Sequence, residues 1–236
     1  MISNKGENDK YKSTQEIINA ATSLAASIVT GNAGGMITSV APFLFALKAR
    51  FLKPFQEEYT QLQVKHLIKE DYYDTEQCKT GIQELLDAIE NDLIDETIFN
   101  AMKKVFLITS TETVSDRNDI LPLEYLRLCR KMTSGEIILL FDNYRICKNS
   151  TEWKGGSSVQ QLSDWVALVA KESALKIEGM ILLHEQGLID KQLLKSRHTS
   201  SEVGIDKETF RLTGLGFALC EYIEQYDSLM EDNLDK

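Results

Sequence analysis

The sequence has little with which to build a familiar metal or redox centre. Its four cysteines, Cys78, Cys129, Cys147 and Cys220, form no C-x-x-C pair, and none has a histidine at metal-ligand spacing. Scattered in this way, they read as reduced thiols, three of them on apolar helical faces, which fits a cytoplasmic protein. Proline is scarce as well. Only Pro42, Pro54 and Pro122 interrupt the chain, and between them the apolar residues recur at helical rather than alternating steps. Positive charge is in deficit, since 26 Lys and Arg face 36 Asp and Glu, for a net charge of -10 and a pI near 4.9. Such a surface repels a phosphate backbone unless basic groups are gathered in one place. The opening "MISNKGENDKYKSTQE" has no apolar core of a signal peptide, so the first residues, 1–13, read as a solvated, flexible tail.

The phosphate, dinucleotide and protease signatures are missing too. "TGNAGGMIT" is rich in glycine but has no Gly-Lys-Ser/Thr. "GLGFAL" has Leu219 where a dinucleotide fingerprint needs Gly or Ala, and no strand-helix-strand unit surrounds it. "HEQGL" starts as a zinc-protease helix does and then has Leu188 in place of the second histidine, leaving His184, like His66, to be a partly buried helix residue. The acids Glu84, Asp87, Glu90, Asp92, Asp95 and Glu96 lack calcium-loop spacing and read as the wet face of two helices. No serine sits in a nucleophile elbow. The expectation is therefore a binding protein rather than an enzyme, with no catalytic residues, metal, cofactor or small-molecule substrate.

What is present is helical patterning. Ile17 to Leu47 carries no charge, is diluted by Thr, Ser, Asn and Gly, and is broken near its middle by "TGNAGG". It reads as a hairpin of two close-packed helices, with alternatives as an oligomerising or membrane-active hairpin. Phe43, Phe45 and Phe51 are its candidate interface residues, should their face be exposed. The second helix of this hairpin is expected to run past Lys48, with apolar positions at Leu62, Val64, Leu67 and Ile68. Ile82, Leu85, Leu86, Ile89 and Leu93 then mark an amphipathic helix, and Asp95 is placed to cap the next, "ETIFNAMKKVFLI". The polar stretch "TETVSDRND" follows. It divides a helical domain, 14–112, from a second domain, 120–226, with an acidic tail at 227–236.

The second domain opens with Pro122 in the first turn of a helix, and Thr133 with Glu136 have the spacing of a capping box for the next one. Then "ILLHEQGLI" resembles the helix-to-wing junction of winged-helix domains, and "ETFRLTGLGFALCEYI" resembles the return strand and final helix. The resemblance runs from Leu121 to Glu224. It implies that Gly187 ends a helix in a left-handed cap, that Leu188 and Ile189 enter a strand, that residues 210–212 return, and that Thr213 caps the last helix. The fold class expected is thus mainly α, a helical N-terminal half followed by a winged-helix-like domain with a small β-hairpin wing.

Winged-helix domains bind DNA, RNA or proteins. The helix in the recognition position, "SALKIEGMILLHEQ", offers Lys176 but also Glu178 and Glu185, a poor set for reading bases. The wing gathers Lys191, Lys195, Arg197 and His198, candidate contacts to a partner or to phosphates. An uncharged hairpin, a helical middle and a winged-helix-like end together also resemble bacterial accessory proteins of phage defence, including the abortive infection alpha family, which transfers no site residues. The leading expectation is an interaction or assembly protein that binds a protein partner or itself. The alternatives are a nucleic-acid-binding accessory subunit using the wing and a membrane-active effector using the hairpin.

Overall fold

A computed structural model describes residues 41–111 apart from 70, 71, 73, 74 and 93, residues 120–149, residues 166–196 apart from 168 and 172, and residues 211–231, with side chains from Ala49 onward except that of Asn91. Helix makes up 81% of them and no strand is present among them. The chain forms two compact units that divide between Arg130 and Lys131.

In the first unit, α1 (Ala41–Val64) does run on past Lys48, and it continues through Pro54. Because proline has no amide hydrogen, the Arg50 carbonyl loses its intrahelical donor there. The face carrying Phe51, Phe55, Tyr59 and Leu62, at steps of four, four and three, is buried, as the helical repeat requires. α2 (Glu76–Asn91) starts at Thr75, whose hydroxyl oxygen accepts the Cys78 amide at 3.1 Å. α3 (Glu96–Thr111) starts at Asp95, whose carboxylate accepts the amides of Thr97 and Ile98 at 2.9 and 3.1 Å. Asp95 is thus the cap that its position before the helix predicts.

Nearly every side of α3 is buried, including Ala101, Met102, Val105, Phe106 and Leu107, so it is the central helix of this unit. Phe51 packs on Phe99 with ring centroids 4.9 Å apart, and Phe55 on Phe106 at 5.7 Å. On α2, Gly81 lies so close to the Phe106 ring that an added Cβ would sit 2.8 Å from it. The one buried cation of α3, Lys103, is neutralised by Glu58 of α1 at 2.6 Å. α4 (Leu121–Lys131) has Pro122 in its first turn and belongs to this unit up to Arg130, later in the chain than the polar stretch at which the sequence suggested a division. Arg127 and Arg130 of α4 both reach Glu84 of α2, at 3.0 and 2.7 Å, and Arg130 also binds Asp92.

The second unit is built on α5 (Ser134–Asn149), whose Ile137, Leu139, Leu140, Tyr144 and Cys147 are buried. Its start is the capping box expected from the sequence: the Thr133 hydroxyl oxygen accepts the Glu136 amide at 3.2 Å, and the Glu136 carboxylate accepts the Thr133 amide at 2.7 Å. Against α5 pack α6 (Glu178–Asp190) and α7 (Gly214–Glu231). α7 is capped by Thr213, whose hydroxyl oxygen accepts the Gly216 amide at 3.0 Å. It extends to Glu231, beyond the point where the sequence suggested an acidic tail.

The expected β-hairpin wing is not found among the described residues, and the fold class is corrected to mainly helical. In its place is one isolated antiparallel bridge, Leu194 to Leu212, with the Lys195 amide donating to the Arg211 carbonyl at 2.7 Å. The reason lies at Gly187. Instead of ending the helix, it sits inside α6, which carries Leu188 and Ile189 with it and stops at Asp190. The left-handed residue is Gln192, with φ 59°, and the Leu193 amide closes the helix end by donating to the Leu188 carbonyl at 2.9 Å. On the other side, Thr213 already caps α7, so among the described residues only 193–196 and 211–212 lie between Gln192 and that cap.

Candidate protein-interaction surface

The stretch "KIEGMILLHEQGLIDK" places two opposed faces on one helix. α6 begins after Ile177, an extended residue whose side chain gives no capping hydrogen bond, and Lys176 before it is left-handed, with φ 51°. From there the helical repeat sends Ile181, Glu185 and Leu188, at steps of four and three, into the unit, where all three are buried.

The inward face is held by polar contacts as well as by packing. Glu185 is 2% exposed and forms an ion pair with Arg211 at 2.9 Å; the Arg211 Nε also donates to the Lys195 carbonyl at 3.0 Å. Lys191 donates to Glu136 of α5 at 2.8 Å and to the Gly187 carbonyl at 3.3 Å. Two glycines permit this approach. A Cβ on Gly187 would overlap the Glu136 carboxylate, and a Cβ on Gly135 would overlap the ring of His184. The His184 ring stands near Thr133, with Nδ1 3.4 Å from the hydroxyl oxygen. Beyond α6, the Thr213 hydroxyl donates to the Gln192 carbonyl at 2.8 Å, which ties the end of α6 to the start of α7.

The outward face is the reverse of what a surface helix usually presents. Met180, Leu182 and Leu183 are 39%, 49% and 63% exposed, and Ile177 at the helix entry is 64% exposed. A solvated helix normally turns its charges outward and its leucines inward. Here a glutamate is inside and two leucines are outside. The only ionic groups exposed along this stretch are Lys176 and Glu178 at its start and Asp190 at its end.

Of the contact residues singled out from the sequence, the three described with side chains, Lys191, Lys195 and Phe51, are not brought together. Lys191 is turned to Glu136 rather than outward, and Lys195 is exposed with its backbone held by Arg211. Arg197 and His198, with most of the expected wing, lie outside the described residues, as do the side chains of Phe43 and Phe45 and the first helix of the proposed hairpin. Phe51 is 3% exposed and is part of the core of the first unit. His184 is the half-buried helix residue expected, whereas His66 is exposed in a left-handed turn after α1, with φ 55°. What the sequence reading missed is the outward side of α6. The signal was the run Met180-Ile181-Leu182-Leu183, four consecutive large apolar residues that no single helical stripe can bury.

Burial pushes the thiols of Cys78, Cys129 and Cys147 up to about 12, and Cys220 is buried too. Thiolate chemistry at neutral pH is thereby suppressed at the first three. Among the described residues, no three His, Cys, Asp or Glu side chains gather as metal ligands, and no helix is long and apolar enough to cross a membrane. No family model, curated protein or solved structure matches the chain.

Proposed function

We propose that this chain is a non-enzymatic interaction protein whose second unit docks a protein partner through the outward face of α6. The observation that carries this reading is the exposure of Met180, Leu182 and Leu183 on a helix whose mid-helix acid, Glu185, is buried. Apolar surface of this kind is stabilised by leaving water, at roughly 25 cal/mol per Å², and a cluster of it on a helix marks a contact surface. The inward ion pairs support the same reading. They fix α6 in place before any partner arrives, which lowers the ordering cost of binding. They also engage Glu136 with Lys191 and Glu185 with Arg211, in structural rather than chemical roles. The partner expected is a protein with an apolar face, such as an amphipathic helix.

A photo-crosslinking residue at Leu183 tests this. In cells it should give discrete protein adducts that Met180→Asp removes, while the same residue at Gln225, exposed on α7, gives none. Absence of adducts at Leu183 would contradict the reading.

A further inference from the structure

The outward face of α6 has a charge order that points to one particular occupant. Leu183 is at its middle. Lys176 stands seven residues before it and Asp190 seven residues after it, all three exposed. Seven residues are close to two helical turns, about 10.5 Å of rise, so Leu183 and Asp190 share a face; Lys176, left-handed and two residues ahead of the helix, precedes that face. Neither Lys176 nor Asp190 makes an ion pair among the described residues; Asp190 only accepts a hydrogen bond from Gln186, at 2.8 Å. Lys176 just ahead of the helix and Asp190 at its end each stand where the macrodipole disfavours them, whereas Glu178 in the first turn suits its end.

Both features are accounted for by a second copy of the same helix running the other way. A twofold axis through Leu183 sets residue i of one copy opposite residue 366 minus i of the other. Leu183 then meets Leu183, Met180 meets the partner's Gln186, and Lys176, just ahead of the helix, comes near the partner's Asp190 at both ends. A twofold contact is self-complementary by construction, and antiparallel helices bring each unfavourable end charge beside its opposite. Gly179, with open space where a Cβ would stand, keeps the surface low one turn before Leu183. A parallel arrangement would instead set Lys176 against Lys176 and Asp190 against Asp190.

We infer that the chain self-associates through an antiparallel, twofold pairing of α6 centred on Leu183 and closed at each end by Lys176 and Asp190. This rests on the reading of the outward face as a docking surface and identifies the partner as another copy. The contact is small by the standard of stable dimers, so the dissociation constant is expected in roughly the micromolar range.

Sedimentation velocity of the full chain over a concentration series is the test, with helix content by circular dichroism as a folding control. The wild type should pass from monomer to dimer, and Leu183→Asp should stay monomeric with unchanged helix content. Lys176→Asp alone and Asp190→Lys alone should each weaken association by about tenfold, two attractive pairs becoming repulsive. The combined change Lys176→Asp with Asp190→Lys should restore it to within about twofold of wild type. A wild type that remains monomeric at every concentration overturns self-pairing, while crosslinked adducts to a different protein at Leu183 would then keep the docking reading alive. A dimer that the combined change fails to restore overturns the antiparallel pairing.

Discussion

Glu185 and Arg211 meet at 2.9 Å with only 3% and 11% of their side chains exposed, and this pair decides which way α6 faces. An ion pair so deep exists at a desolvation cost, and loss of one member leaves a buried, uncompensated charge. Arg211→Met is therefore expected to destabilise the second unit by about 3–5 kcal/mol. Replacing both residues, as in Glu185→Leu with Arg211→Met, should recover most of that loss. Urea unfolding followed by circular dichroism measures both. A cost below about 1 kcal/mol for Arg211→Met would mean that the charge finds water and that the inward face is not held as described.

The end of α6 gives a pair of opposite predictions. Gly187→Ala in an ordinary helix interior would stabilise by about 1 kcal/mol. Here its methyl would overlap the Glu136 carboxylate that Lys191 holds, so a loss of about 1–3 kcal/mol is expected. Gln192 carries the left-handed conformation instead, so Gln192→Gly should stabilise by up to about 1 kcal/mol. Thermal unfolding of the two variants reads the signs. The reverse signs would return the helix end to Gly187.

Stability should decline in acid for two identified reasons. Glu224 accepts hydrogen bonds from Lys148 and from Tyr144, the latter at 2.6 Å, and these hold its carboxyl below the ordinary 4.5. At Glu84, burial acts to raise the value, but the hydrogen bonds and charges of Arg127 and Arg130 outweigh it and the net shift is again downward. A carboxyl whose folded value is depressed contributes stability that is present above its unfolded value and is lost as pH falls through the folded one. Melting temperatures should thus be flat above about pH 5 and fall below about pH 4.5. Glu84→Gln and Glu224→Gln should each lower stability at pH 7 and reduce the acid dependence. An unchanged acid slope in both variants would place the acid sensitivity elsewhere.

The parts legible in the sequence were those decided by neighbours along the chain. Asp95 and the Thr133 and Glu136 pair are legible as caps, because a cap involves residues two or three positions apart and a side chain suited to orphan amides; the Thr213 cap is what the winged-helix resemblance implies. The passage of α1 beyond Lys48 was likewise set by local periodicity. Gly187 was ambiguous because a glycine serves equally as a left-handed cap and as a point of close helix approach. The second role depends on Glu136, fifty-one positions away, and cannot be read locally. The same holds for Glu185. Alone it marks a wet helix face, and only Arg211, brought beside it by the chain reversal, makes it an inward residue. With that sign inverted, the acidic helix that made a poor DNA reader is an apolar one.

The central claim is that Leu183 is presented outward to be covered by a protein. The most direct measurement is the alkylation rate of a cysteine placed there, in dilute purified protein and in intact cells, with Ile181→Cys as the inward control. The native cysteines are buried and supply little background. Leu183→Cys is expected to react fast in dilute solution and slowly in cells, and Ile181→Cys slowly in both. Equal, fast reaction of Leu183→Cys in both settings would contradict the claim.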